Sequence, residues 1–165
     1  ELLAIILGGG MSSRLFVEVR ERRGLAYMVR TGASAYNETG NIVTYAGLNN
    51  ANLLEGLKVI LAEHKKVTEE LVGEKELARV KDQVRGAFVI GLEQSDDLAS
   101  FYGEQELLEH KIKTPEERLA KITAVTREDI LEVARDILRP VKLNLAIIGP
   151  LKGDNSEIKK ILSSL

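Results

Sequence analysis

No cysteine occurs among the 165 residues, so neither a disulfide nor a thiolate metal site can form. That suits a reducing compartment and points to the cytoplasm. Long apolar runs are missing too: residues 2–7, and 143–148 with Asn144 interrupting it, fall far short of the roughly 20 residues that span a bilayer. A membrane partner is not expected. Neither sign of charge dominates, since 23 Lys and Arg face 25 Asp and Glu, and a net charge of -2 gives no global attraction to nucleic acid.

Two chemical signatures are also incomplete. The run Gly8-Gly9-Gly10-Met11-Ser12-Ser13 has the glycines of a phosphate cradle, but Met11 stands where a P-loop needs Lys followed by Ser or Thr. A helix amino terminus there still offers free N–H groups, which keeps an anion-binding module as a third reading beside a simple hinge. His64 and His110 each follow a glutamate, as in the zinc motif H-x-x-E-H. Three residues before those glutamates stand Ile60 and Glu106 instead of histidine, so neither place supplies the ligand pair. Both histidines are expected on solvated helix faces, and no metal site is expected in this chain. Asp96-Asp97 and Glu116-Glu117 fall in first turns of helices, where they offset the positive end of the dipole.

What is present describes a folded chain. Apolar residues make up 44% of the composition against 29% charged, enough to bury a core in one domain covering residues 1–165. Residues 2–7 are apolar and helix or strand, until the three glycines interrupt them. Ser12 or Ser13 then caps a helix carrying Arg14 and Arg20, and Gly24 stops it. Residues 25–36 and 41–49 are rich in branched and aromatic side chains, with a turn at 37–40 between them, and predict an antiparallel hairpin. Its exposed edge suits an extended peptide added through backbone hydrogen bonds.

Asn50 or Asn52 caps a helix with Leu53, Leu57, Ile60 and Val67 at helical spacing, closed by Gly73. Residues 74–94 predict another, and Ser95 caps a third running towards His110. Thr114-Pro115-Glu116-Glu117 opens a fourth with a capping box and Pro in its first turn, and Thr126 with Asp129 repeats the start. Residues 142–148 alternate as a strand before Gly149-Pro150, and a short tail helix follows. Strands at both ends with helices between them predict an α+β fold, a two-layer sandwich of mainly antiparallel sheet packed with several helices.

One segment is more specific. Leu7-Gly8-Gly9-Gly10-Met11-Ser12-Ser13-Arg14-Leu15-Phe16, continuing through Val19-Arg20-Glu21-Arg22-Arg23-Gly24-Leu25-Ala26-Tyr27, closely resembles the pitrilysin, insulinase and mitochondrial-processing-peptidase family of zinc metallopeptidases. The match extends over nearly the whole chain and is to the family's carboxyl-side domain, which lacks the zinc motif and faces the zinc-bearing domain across a closed chamber. The resemblance implies the processing-peptidase-like metallohydrolase fold, and a piece of a longer peptidase whose domain lacks only its beginning here. It also implies zinc held by a partner domain or homologous subunit, unfolded or extended peptides as substrates, and scope for homo-oligomers.

Matching positions of the family's arginine and tyrosine, seven residues apart, are Arg20 and Tyr27. The resemblance implies that both hold the substrate peptide and stabilise the oxyanion formed at the scissile carbonyl, while the isolated chain is inactive. The glycine run is shorter than the glycine-rich loop of noncatalytic processing-peptidase subunits, which favours the general two-domain arrangement and leaves Ser12, Ser13 and Arg14 mainly structural. The alternative is a noncatalytic structural or assembly subunit of the same family.

Overall fold

Helix α1 (Leu2–Gly8) opens the chain. A helix that is apolar all round must be buried all round, and α1 meets that need by lying between strand β1 (Ala26–Ala35) and helix α3 (Glu74–Ile90). The computed structural model describes residues 1–151 and 155–163. Strand β1 pairs with β2 (Gly40–Leu48) as an antiparallel hairpin, with Arg30 opposite Tyr45 and Ala35 opposite Gly40. Its turn closes where Tyr36 N–H donates to Thr39 O at 2.8 Å. Alternation along a strand sends neighbours to opposite faces: Val29 and Thr31 are buried, whereas Met28 and Arg30 are exposed.

After the hairpin, Asn49 accepts from Ala51 N–H and starts a short 3-10 turn that runs into α2 (Leu53–Glu69). Neither Asn50 nor Asn52 caps through its side chain, contrary to expectation, because this turn supplies the first hydrogen bonds instead. Helix α4 (Ser95–Glu104) likewise starts without the expected Ser95 cap. It continues as a π turn (Gln105–Glu109) to His110, whose φ of 49° ends it. Helices α5 (Pro115–Ala124) and α6 (Arg127–Ile137) both begin with the capping boxes expected at Thr114 with Glu117 and Thr126 with Asp129. Helix α7 (Ser156–Leu162) is the tail helix and packs on α2.

The fold is α+β, with helices layered against the hairpin's inner face. The main core joins α1, β1, α2, α3 and α6 through side chains such as Ile6, Leu7, Val29, Val67, Val80 and Ala134. A smaller cluster of Leu57, Leu61 and Ile161 holds α7 to α2.

The expected strand at 142–148 does not form. Only β1 and β2 make sheet among the described residues, and a strand without a neighbour leaves its N–H and C=O groups to water. The segment instead follows a 3-10 turn (Pro140–Lys142) as irregular chain with Leu145 and Ile148 exposed. Alternation alone described its side chains correctly as strand-like; the pairing partner is what it lacks.

Candidate functional site

Arg20 and Tyr27 are brought together by two backbone irregularities. The helix after the glycines is not a regular α-helix: from Phe16 to Glu21 it widens into a π turn, with Arg22 N–H reaching Val17 O at 2.9 Å. Such widened turns recur at functional sites because they reorient one side chain within a helix. Gly24 then takes a φ of 60°, open to glycine at little cost, and lets Leu25 N–H close on Val19 O at 2.9 Å. The chain enters β1 at once, where Ala26 faces Leu48 and Met28 faces Gly47, leaving Tyr27 as the extra residue of a bulge. A bulge re-aims the side chain it adds. Tyr27 is 87% exposed, on the same outward side as Met28.

As a result the Arg20 guanidinium carbon sits 5.7 Å from the Tyr27 ring centroid and 4.8 Å from that of Phe16. Both are cation–π distances. Neighbouring charge is arranged so that Arg20 stays available. Glu18 binds both Arg22 and Arg23, and the hydrogen bond from Arg23 is the main reason its carboxyl is held below its ordinary range. Arg20 has no carboxylate partner among the described residues. The pair therefore presents a planar set of charged donors and a phenolic O–H on one exposed surface, held by rings instead of by an ion pair.

The glycine run is anchored from the side. Three residues on one face of α3 hold it: Gln83 donates to Gly9 O at 3.1 Å, Arg79 to Ser12 O at 2.9 Å, and Glu76 takes Arg14 in a two-pronged ion pair at 2.9 and 2.8 Å. A Cβ on Gly8 would stand 2.4 Å from Thr31 N, and one on Gly9 would stand 2.5 Å from Ile5 Cα. These glycines allow close packing; they do not act as a hinge. Ser13 does not cap by accepting from the helix, but is buried and donates to Gly10 O at 2.6 Å. Arg14 is structural, as expected.

Burial tends to raise the Glu76 carboxyl, but Arg14 outweighs it and the group is held below its ordinary value. Glu76 also accepts from Gly73 N–H at 3.3 Å, so one side chain serves both an ion pair and a helix start. Replacing Glu76 by Ala leaves a half-buried guanidinium without its partner and is expected to cost about 3 kcal/mol. Urea unfolding checks this, and a loss below about 1 kcal/mol would place the pair among weak surface contacts.

His64 departs from expectation. It is partly buried between α2 and the inner face of β2, where Nε2 lies 3.1 Å from Thr44 Oγ1, itself 2.9 Å from Thr31 Oγ1. Burial pulls its pKa down to about 4. Helical spacing placed it on a polar face, but the hairpin folds over that face. His110 is exposed, as expected.

The sign of the pH effect follows. The unfolded chain takes up a proton at His64 near pH 6.5, and the folded chain does so only near 4, so stability is full above about 6.5 and falls as pH drops through that window. We expect a loss on the order of 2 kcal/mol, removed in His64→Gln. Parallel unfolding curves of both proteins at about pH 7.5 and about pH 5 test it, and identical pH dependence would refute the buried histidine.

There is no cysteine, His64 is engaged with Thr44, and among the described residues no three His, Asp or Glu side chains converge. Two features of the site escaped sequence reasoning, the π turn and the bulge, because neither leaves a residue-type signature.

Comparison with known proteins agrees with this architecture. The family described as the peptidase M16 inactive domain matches residues 1–84, which include the glycine run, Arg20, Tyr27 and the hairpin. An uncharacterised zinc protease of Streptomyces coelicolor is 40% identical over 153 residues, 92% of this chain and 33% of its own length. The chain thus spans about a third of the curated relatives it matches. A conserved protein from Enterococcus faecalis superposes with a TM-score of 0.72 at 28% identity, over 81% of this chain and 31% of that one. A peptidase M16 inactive domain from Pseudomonas fluorescens does so at 0.75 and 23%, over 84% of this chain and 33% of that one. With its fold and these relatives in agreement, the chain belongs to the peptidase M16 family of zinc proteases, as the family's inactive, non-catalytic domain.

Proposed function

We propose that this domain supplies half of the active site of a zinc endopeptidase: it binds an extended peptide and stabilises the transition state, and is inactive without a zinc-bearing domain or subunit. The observation that carries this reading is the exposed Arg20–Tyr27 pair, in cation–π contact and without a carboxylate partner among the described residues. The partner domain supplies the metal and the general base. When the scissile carbonyl becomes tetrahedral its oxygen gains negative charge, and donors fixed beforehand stabilise that charge without reorganising. Arg20 offers a rigid fork of N–H groups and Tyr27 a directed O–H.

The test is zinc content together with cleavage of an unstructured peptide, for this chain alone and for the complete protein. Zinc and cleavage only in the complete protein support the proposal. Cleavage by this chain alone, or by neither, overturns it, the second outcome pointing to a structural subunit.

A further inference from the structure

Arg20 is not the sole free cation on the outer surface of the hairpin. Arg30, midway along β1, faces outward, and its guanidinium carbon lies 5.2 Å from the ring centroid of Tyr45, its partner across the ladder. Every other arginine is occupied: it either pairs with a carboxylate, as Arg14 does with Glu76, or donates to a backbone carbonyl, as Arg135 does to Thr68 O. Only Arg20 and Arg30 lack both among the described residues. Both are stacked on an exposed tyrosine, and both lie on the outer side of the same hairpin.

No carboxylate stands near Arg30 in the sequence of the hairpin. The hairpin contains a single carboxylate, Glu38, and it sits in the turn at the far end. Side chains sharing the outward face with Arg30 are Met28, Gly32 and Ser34 on β1 and Asn41, Val43 and Gly47 on β2, none of them charged. A guanidinium held over a ring at cation–π distance forms no hydrogen bond with it and keeps N–H donors free for an acceptor, and a carboxylate can meet them with two oxygens. A cation held ready in this way, with no carboxylate paired to it among the described residues, complements an anionic ligand.

We infer that Arg30 with Tyr45 forms a second subsite on this face, selecting an acidic side chain, Asp or Glu, in the extended peptide that Arg20 and Tyr27 hold. The inference rests on the reading of the preceding subsection for the peptide's place. Arg30 follows Tyr27 by three residues, about 10 Å of strand at roughly 3.3 Å per residue. An extended peptide lying along the strand covers that distance in about three residues, so the acidic side chain falls about three positions from the scissile bond.

The experiment uses the complete protein, zinc domain included, and unstructured quenched-fluorescence peptides that differ at one residue, Asp, Ala or Lys, placed about three positions to either side of the cleaved bond. The wild type is expected to show kcat/KM about three- to tenfold higher for the Asp peptide than for the Lys peptide. Arg30→Gln brings the ratio near one, Arg30→Lys keeps the preference, and Arg30→Glu inverts it. Arg85→Gln, on α3, leaves the ratio as in the wild type. A ratio unchanged by Arg30→Gln and Arg30→Glu overturns the subsite.

Fluorescence anisotropy of the labelled Asp and Lys peptides on the same proteins separates this inference from the one beneath it. If the wild type cleaves none of the peptides, the peptidase reading falls. Tighter binding of the Asp peptide, abolished in Arg30→Glu, then still supports the acidic subsite, and equal binding of both peptides overturns it.

Discussion

Tyr27→Phe in the complete peptidase is expected to lower kcat by about 100-fold while zinc content stays the same, because loss of one fixed donor to a developing oxyanion has effects of this order. The phenol is 87% exposed and its O–H carries no packing role, so removing it leaves the fold intact. Arg20→Ala should cost at least as much, since it removes a charge as well as donors, and Arg20→Lys should recover only part because an ammonium lacks the planar fork. Stopped assays with metal analysis on the same samples decide the matter. Unaltered turnover in both Tyr27→Phe and Arg20→Ala would strip the pair of its proposed role, and parallel loss of zinc would mark the effect as structural.

Gly8→Ala is expected to destabilise the domain by about 3 kcal/mol, near the upper end for overpacking, and to lower Tm by roughly 10 °C. The reason is the identity of the obstacle. A Cβ at this position meets the backbone nitrogen of Thr31 at 2.4 Å, and backbone in a paired strand does not rotate away as a side-chain tip does. Thr31 is also hydrogen-bonded to Thr44, which contacts His64, so pushing β1 outward disturbs a polar chain as well as the α1–β1 contact. By contrast, the nearest atoms to a Cβ on Gly56 belong to the Leu48 side chain, which can shift where backbone cannot, and Gly56→Ala should cost less. Thermal melts of the two variants rank them, and a milder Gly8→Ala would refute the packing argument.

Much of the fold was legible in the residues because the signals were local. Thr114 with Glu117 and Thr126 with Asp129 satisfy helix N–H groups within one turn, and the hairpin's alternation needs only its neighbour in sequence. Gly24 was legible for the same reason, as the residue able to reverse a helix end at a φ of 60°. What failed depends on distant chain. Residues 142–148 have the side chains of a strand and no strand to pair with among the described residues. His64 sits at a polar helical position that the hairpin covers, and Gly8 looked like a hinge because nothing in its own sequence reveals Thr31 above it.

The site itself divides the same way. Arg20 and Tyr27 were found through a family resemblance, and the structure adds the stacking that brings them to 5.7 Å. Arg30 was not singled out, since one arginine in a strand carries no motif; what sets it apart is that, with Arg20, it lacks the carboxylate or carbonyl partner that the other arginines have.

The π turn and the bulge have a bearing on how this segment can vary. Each is one residue added to a regular element, so the aim of Arg20 and of Tyr27 depends on chain length as much as on residue type. Deleting one residue from the π turn would restore the α period and swing Arg20 by about 100° around the axis. Deleting one at the bulge would turn Tyr27 to the opposite face of the hairpin. Point replacements can therefore accumulate around the pair, whereas a one-residue insertion or deletion between Phe16 and Met28 separates the guanidinium from the ring.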